Sequence, residues 1–188
     1  MRWYIKPPAD KSSDIVESVL RKRGVSKKEV DSFLNPSFSN LYDPFLFSDM
    51  EKAVKLISNI VKKDGKIIIY GDYDVDGISS TSLLYLFLQD YFGYTADYYI
   101  PDRVEEGYGL NSEAVNQILD ENYDLMITND CGITAFEEVA LARSKGLKVI
   151  ITDHHEPADK LPEANFILNP KVRKDSYPFA KLAGVGVA

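Results

Sequence analysis

Three aspartates lie close together in one short stretch and could bind a divalent cation. Asp72, Asp74 and Asp76 directly follow the apolar run 67–70. Unpaired, these carboxylates would repel one another, and clustered oxygen ligands suit a hard cation such as Mg²⁺ or Mn²⁺. Glycines flank the stretch and would let the backbone turn sharply and come close to a ligand. Taken alone, the stretch could equally be an acidic surface turn.

The other candidate ligands follow two later apolar runs. Asp130 follows one of them, and the other is followed by Asp153, His154 and His155. The two histidines are the only ones in the sequence. Singly, each residue has an ordinary alternative: Asp130 could cap the next helix, Asp153 could close a turn, and the histidines could be surface residues.

Short apolar runs alternate with helical stretches from residue 66 onward, which predicts an α/β fold with a parallel five-stranded sheet flanked by helices. The predicted strands are 66–70, 95–100, 124–128, 147–152 and 165–168. The carboxyl ends of parallel strands lie at one edge of a sheet. The three polar segments, about 80 residues apart along the chain, are therefore expected to converge.

Residues 1–64 precede this pattern and are predicted to form an N-terminal helical extension packed on the core. An irregular lead-in over residues 1–11 is followed by three helical patterns. Residues 65–188 are predicted to form the α/β domain. The helix after the acidic stretch is expected to run from about Ile78 to Phe92.

The combination of ligand types points to phosphate chemistry. Several carboxylates with one or two histidines fit one or two divalent ions, and Mn²⁺ tolerates imidazole better than Mg²⁺ does. Two such ions could bridge a phosphoryl oxygen, activate a water and stabilise the leaving oxygen. Arg103, in the loop after the second strand, is the natural partner for a substrate phosphate. A salt bridge to Glu105 or Glu106 is the alternative for this arginine.

Composition narrows the function classes. The net charge of −7 argues against non-specific electrostatic binding of nucleic acid, although bound cations would make the charge locally positive. The single cysteine, Cys131, excludes an internal disulfide and makes the cytosol the expected compartment. The longest apolar run, Leu83 to Leu88, is far too short to span a membrane.

The chain resembles the DHH phosphoesterase superfamily, which is named for the motif found here at residues 153–155. The closer resemblance is to its branch of RecJ-type single-stranded-DNA-specific exonucleases. It rests on the sequences GDYDVDG at 71–77, PDRVEEGYGLN at 101–111, NDCGI at 129–133 and LAGVGVA at 182–188. The resemblance covers most of the chain, and the motifs stand in the right order.

The resemblance implies a site and an activity. The implied ligands for Mn²⁺ or Mg²⁺, two ions in the complete protein, are Asp74, Asp76, Asp130 and His154. His155 would contact the scissile phosphate or protonate the leaving oxygen, and Asp72 would support the ligand loop or approach the second ion. Arg103 would hold substrate phosphate. The implied activity is 5′→3′ hydrolysis of single-stranded DNA to mononucleotides, in recombination and repair.

Two departures from the superfamily pattern qualify this implication. Many members have a histidine where this chain has Tyr70, so a ligand role there is lost. The family also completes its metal site with a further aspartate and closes over substrate with a second domain, and RecJ-type enzymes add a nucleic-acid-binding barrel. We therefore expect the DHH domain to be truncated at its C-terminal end. The missing C-terminal domains of the same protein would then be partners, and the chain alone would be weakly active or inactive.

Three other functions remain open. A DHH enzyme for oligoribonucleotides, cyclic dinucleotides or pyrophosphate would use the same ligands. A non-catalytic RecJ-like scaffold of the replication machinery usually loses them, whereas this chain keeps those that its length permits. A haloacid-dehalogenase-type phosphatase would use residues 72–75 as its nucleophile motif. That fold needs a Ser or Thr closing the next strand, and 95–101 ends instead in Tyr-Tyr-Ile-Pro.

Overall fold

The computed structural model describes residues 14–172 and 177–188 and contains a five-stranded parallel sheet. Its strands are β1 (Ile67–Gly71), β2 (Asp97–Tyr99), β3 (Leu125–Asn129), β4 (Lys148–Thr152) and β5 (Phe166–Leu168). The strand order is β2-β1-β3-β4-β5, and each neighbouring pair is parallel. The predicted α/β fold is confirmed.

Helices connect the strands and precede them. Those in the described ranges are α1 (Ile15–Lys22), α2 (Val30–Leu34), α3 (Met50–Lys62), α4 (Val75–Phe92), α5 (Ser112–Asp120), α6 (Phe136–Ser144) and α7 (Gly184–Val187). Two short 3₁₀ turns, Phe38–Asn40 and Pro44–Leu46, lie between α2 and α3. None of the helices described is long and apolar enough to cross a membrane.

The chain divides into two compact units, Met1–Leu41 and Tyr42–Ala188. Helices α1 and α2 belong to the first unit, whereas α3 lies in the second with the sheet. Residues 1–13, which include the predicted lead-in over 1–11, lie outside the described residues. The predicted domain boundary after residue 64 stays a prediction.

The central strands are buried on both faces of the sheet. In β1, Ile68 and Tyr70 pack in one apolar cluster with residues of α5 and α6. Ile67 and Ile69 pack in a second cluster with residues of α3 and α4. Strands covered in this way are apolar along their whole length, so polar groups collect where the strands end.

The strand register aligns three aspartates at one edge of the sheet. Gly71 of β1 pairs with Asn129 of β3, which in turn pairs with Thr152 of β4. The residues that follow these three are all aspartates, namely Asp72, Asp130 and Asp153. With the strand order β2-β1-β3, the carboxyl ends of β1 and β3 flank the switch point at which open α/β sheets bind ligands.

Helix α4 begins at Val75 rather than at the predicted Ile78, because Asp74 caps it. The Oδ1 atom of Asp74 accepts hydrogen bonds from the backbone N–H groups of Asp76, at 2.9 Å, and Gly77, at 3.0 Å. An aspartate in this position satisfies N–H groups that have no partner within the helix. Asp76 therefore lies in the first turn of a helix and not in a loop.

Gly77 is required for close packing and not for a turn. Its φ lies outside the left-handed region. A Cβ at this position would lie 2.7 Å from both the Cα and the carbonyl carbon of Asp72, and closer still to the carbonyl oxygen. The first turn of α4 thus rests directly on the backbone that follows β1. This contact holds the acidic stretch against the end of the sheet.

Candidate metal centre

Asp130 is the buried centre of the site. Its backbone has a φ of 60°, which is uncommon for a residue other than glycine. The residue is 1% exposed, and within the described ranges its Oδ1 atom forms no hydrogen bond. It does not cap α6, whose N-cap is Ala135. A buried carboxylate oxygen without a partner is costly, and a bound cation would supply the partner.

Two overlapping groups of side chains could hold an ion, and Asp130 belongs to both. One group joins it to Asp72 and Asp74, the other to His154 and His155, and in each the ligand atoms lie within 4.8 Å of one another. Asp72 is also buried, and its Oδ1 lacks a hydrogen-bond partner among the described residues. This mixture of carboxylate and imidazole donors fits a divalent metal.

The crowding of negative charge raises the pKa of the buried carboxylates. Burial, followed by the charge of Asp76, raises the pKa of Asp130 to about 7. Burial also raises the pKa of Asp72. Because a nearby cation favours the ionised form, a bound metal would oppose both shifts.

In the metal-free protein, Asp130 should make stability decrease as the pH rises. Its pKa is about 7 in the folded chain and about 3.9 for an exposed aspartate. Between these two pH values the folded state binds more protons than the unfolded state does. The free energy of unfolding therefore decreases as the pH rises from about 4 to about 7. With a chelator present, the melting temperature of Asp130→Asn should rise relative to wild type across this window and then level off. A difference that is independent of pH would contradict the shift.

His154 faces two carboxylates of the site. Its Nε2 atom lies 3.1 Å from Oδ1 of Asp130 and 3.7 Å from Oδ2 of Asp76. The shorter of these contacts does not have hydrogen-bond geometry, and it leaves the Asp130 oxygen without a donor. The other ring nitrogen, Nδ1, lies 2.8 Å from the backbone oxygen of Leu182.

Asp76 is held by the backbone of the last helix. Its Oδ2 accepts the N–H of Gly184 and its Oδ1 accepts the N–H of Val185, each at 2.7 Å. Asp76 is absent from the two ligand groups described above. Each of its oxygens keeps a second lone pair that could still bind an ion, so its predicted ligand role stays a prediction.

Asp153 orients His155, a function that the sequence interpretation missed. Its Oδ1 accepts the backbone N–H groups of His154, at 2.7 Å, and His155, at 3.0 Å, and lies 2.7 Å from His155 Nδ1. Its Oδ2 accepts the N–H of Ile133 at 3.0 Å. With both oxygens occupied and 1% of its surface exposed, Asp153 is a positioning residue. Its place directly before the two histidines was the available signal.

Tyr108, also not predicted as a site residue, contacts His155 from the loop between β2 and α5. Its hydroxyl oxygen lies 3.2 Å from each nitrogen of the imidazole ring. Because Nδ1 is directed at Asp153, the hydroxyl can donate to Nε2. A cavity of about 470 Å³ lies beside these residues, and its lining includes Tyr108, Ile133, Asp153 and His155.

Arg103 packs on an aromatic ring at the start of the acidic stretch. Its guanidinium carbon lies 5.5 Å from the centre of the Tyr73 ring, a cation–π contact. In the part of the chain that the structure describes, Arg103 forms no ion pair with Glu105 or Glu106. Glu106 instead accepts the hydroxyl of Tyr99 at 2.6 Å. The role of Arg103 toward phosphate stays a prediction.

Tyr70 and Cys131 are core residues. Both are buried in the cluster that covers one face of the sheet. The Tyr70 hydroxyl donates to the backbone oxygen of Gly109 at 3.0 Å, which ties the loop before α5 to β1. Burial raises the pKa of the Cys131 thiol, which is unfavourable for a nucleophile.

Known proteins match this chain over the residues that form the sheet and the site. The sequence model of the DHH family, N-terminal domain, matches residues 66–188. The chain is similar to the single-stranded-DNA-specific exonuclease RecJ of Bacillus subtilis, with 43% identity over 199 residues, covering 100% of this chain and 25% of the relative. It is 44% identical over 141 residues to the Escherichia coli protein of the same name, covering 75% of this chain and 24% of that protein.

A solved structure shows the same arrangement of elements. The crystal structure of RecJ in complex with Mn²⁺ from Thermus thermophilus matches with a TM-score of 0.66 and 29% identity, covering 89% of this chain and 22% of that chain. The chain thus spans about a quarter of the length of the curated relatives it matches. The matched residues 66–188 contain the sheet and every candidate ligand. This chain belongs to the DHH family.

Proposed function

We propose that this chain is the metal-binding part of a metal-dependent exonuclease that hydrolyses single-stranded DNA in the 5′→3′ direction, in recombination and repair. One observation carries the proposal: two groups of potential ligands share the buried Asp130, whose Oδ1 has no hydrogen-bond partner among the described residues. The names of the relatives support single-stranded DNA as the substrate. The Mn²⁺ complex of the Thermus thermophilus protein supports the choice of metal.

The proposed ligands of Mn²⁺ or Mg²⁺ are Asp74, Asp76, Asp130 and His154. Bound ions would polarise the phosphodiester, lower the pKa of a water nucleophile and neutralise charge on the leaving oxygen. Asp72 supports the ligand stretch from its buried position beside Asp74 and Asp130. A carboxylate there would also draw a second ion toward this side of the site.

His155 is the proposed proton donor to the leaving oxygen, or a direct contact to the scissile phosphate. Asp153 fixes the ring through Nδ1, which leaves Nε2 on the side that the Tyr108 hydroxyl reaches. An imidazole that is hydrogen-bonded to a buried carboxylate in this way keeps its orientation. Arg103, beyond Tyr73, would bind a phosphate of the substrate strand.

The remaining parts of the proposal concern the whole protein. Because the chain spans about a quarter of its relatives' length, we propose that further domains of the same protein complete the metal site and bind DNA. The net charge of −7 supports a basic DNA-binding surface outside these residues. Residues 65–188 would form the DHH domain, residues 1–64 the helical extension, and the protein would work in the cytoplasm.

A chimaeric protein tests this function. Replacing the matching quarter of the Bacillus subtilis relative with this chain should give an enzyme that releases 5′-mononucleotides from single-stranded DNA when Mn²⁺ is present. The same chimaera with Asp130→Ala should be inactive, because both ligand groups lose their shared carboxylate. A chimaera with Asp90→Ala, which removes an exposed carboxylate of α4, is the matched control and should keep its activity.

The other outcomes select the competing functions. Hydrolysis of cyclic dinucleotides or pyrophosphate without action on single-stranded DNA would favour an enzyme for small substrates. An inactive chimaera that folds but does not bind Mn²⁺ would favour a scaffold. The chain by itself should show little or no hydrolysis, and processive digestion of DNA by these 188 residues would contradict the requirement for further domains.

A further inference from the structure

We propose that the backbone of residues 182–185, here called the clamp segment, positions two ligands of the metal centre. It would fix the ring of His154 through a carbonyl group and the carboxylate of Asp76 through two N–H groups. This inference rests on the proposed metal site and deepens it, since that function gives the clamp segment no role. The segment belongs to one of the motifs on which the sequence resemblance depends.

The carbonyl of Leu182 determines which nitrogen of His154 can bind a metal. A backbone carbonyl can only accept a hydrogen bond, so Nδ1, at 2.8 Å from it, must carry the proton. In the neutral ring the lone pair then lies on Nε2, which is the nitrogen that faces Asp130 and Asp76. Metal-binding histidines are commonly oriented by such a bond from the other ring nitrogen.

The N–H groups of Gly184 and Val185 orient the carboxylate of Asp76. Each accepting oxygen lies 2.7 Å from its donor, which is a short distance typical of bonds to a charged acceptor. The two bonds fix the plane of the carboxylate and leave one lone pair on each oxygen for an ion. The partners are separated by 108 and 109 residues along the chain.

Gly184 lets the clamp segment lie directly against Asp130. A Cβ on this residue would overlap Oδ1 of Asp130 and lie 2.6 Å from its Cγ. Gly186 belongs to the same helix, but its nearest neighbour would be Cδ2 of Leu182 at 3.1 Å, the end of a flexible side chain. Neither glycine has a left-handed φ. Alanine substitutions at Gly184 and Gly186 are therefore a matched pair, because only the one at Gly184 would contact Asp130.

Leu182 in the clamp segment and Val187 just after it pack on the apolar core. Val187 is buried in the apolar cluster that also contains Ile69 of β1 and Leu88 of α4, and Leu182 packs against that cluster. Helix α7 lies against α4, whose first turn carries Asp76. Helix α7 and the helix that carries Asp76 thus pack on each other and on the core. Binding of a metal and docking of the segment should consequently stabilise one another.

A pair of alanine variants tests the clamp. In calorimetric titrations of this chain with Mn²⁺, Gly184→Ala should weaken binding about 10- to 100-fold, as the loss of an outer-shell partner does. Gly186→Ala should change the affinity by less than about twofold, as a surface substitution does. Equal losses in the two variants, or an unchanged affinity in Gly184→Ala, would overturn the proposal. Circular dichroism checks that both variants are folded.

Two measurements without metal keep the clamp testable if Gly184→Ala does not fold. Long-range ¹H–¹⁵N NMR, at a pH where the ring is neutral, should find the proton of His154 on Nδ1. Amide exchange at Gly184 and Val185 should be slow in wild type and faster in Asp76→Asn, since the new amide group cannot accept at both positions. A proton on Nε2, or unchanged exchange, would overturn the clamp.

These measurements also separate the two proposals. Wild-type chain that fails to bind Mn²⁺ but shows the expected proton position and amide protection would contradict metal binding by this chain alone and leave the clamp standing. If the chain binds Mn²⁺ but the proton of His154 lies on Nε2, the clamp is contradicted and the metal function stands.

Discussion

Asp130→Asn should abolish Mn²⁺ binding that calorimetry can detect, while the chain stays folded. The substitution keeps the shape of the side chain, and asparagine tolerates the left-handed φ of 60° at this position. It removes the one charge that both candidate ligand groups share. The loss should exceed the roughly 10- to 100-fold effect of an outer-shell residue, because an ionised ligand is removed. Asp130→Ala should give the same loss of binding with an added backbone strain.

Asp90→Ala is the control for this experiment, since it removes an exposed carboxylate of α4 away from the ligand groups. Its Mn²⁺ affinity should equal that of wild type. Thermal melting gives an independent measure, because Mn²⁺ should stabilise wild type and Asp90→Ala but not Asp130→Asn. If Asp130→Asn binds as wild type does, the acidic stretch alone holds the ion and the convergence of the strand ends is not what forms the site.

Gly77→Ala should destabilise the chain by about 1–3 kcal/mol or more, the range for overpacking a close contact. The new Cβ would meet the backbone of Asp72, which cannot move without shifting the end of β1. Without that contact the substitution should stabilise the chain, because alanine is favoured over glycine in a helix by about 1 kcal/mol. Urea unfolding monitored by circular dichroism measures the change, and its sign alone distinguishes the two cases.

Ser79→Ala is the matched control for Gly77→Ala, because it places alanine at an exposed position of the same helix. It should leave the free energy of unfolding within about 0.5 kcal/mol of wild type. A displaced first turn of α4 would also move Asp74 and Asp76, so Mn²⁺ binding by Gly77→Ala should be weaker than by the control. A Gly77→Ala variant that is more stable than wild type would show that α4 does not depend on this contact.

The sheet could be predicted because its information is local. Each of β1, β3 and β4 is a short apolar run that ends in polar residues, and its two faces are buried. Parallel strands place their carboxyl ends together whatever the details of the loops. The expected convergence of Asp72, Asp130 and the two histidines therefore followed from the parallel arrangement of the strands alone.

The details around the acidic stretch could not be predicted in the same way. The flanking glycines were expected to allow a sharp turn and a close approach to a ligand, yet Gly77 lies inside α4 and approaches the backbone of Asp72 instead. A glycine can be needed for a left-handed φ or for close packing against another backbone, and the sequence alone does not distinguish these two reasons. Only the packing of α4 on the end of β1 decides between these two reasons.

By itself, the sequence determined the α/β class, the edge of the sheet at which the candidate site lies and the types of the candidate ligands collected there. The tertiary structure alone decided how those ligands are held. The carboxylate of Asp153 accepts the N–H of Ile133 and contacts Nδ1 of His155, and the carboxylate of Asp76 accepts two N–H groups of the last helix. Three of these bonds join positions 20 or more residues apart, and those three use backbone N–H groups, which every residue except proline possesses. No pattern of side chains in the sequence predicts such a backbone partner, because its position depends on the packing of the complete domain.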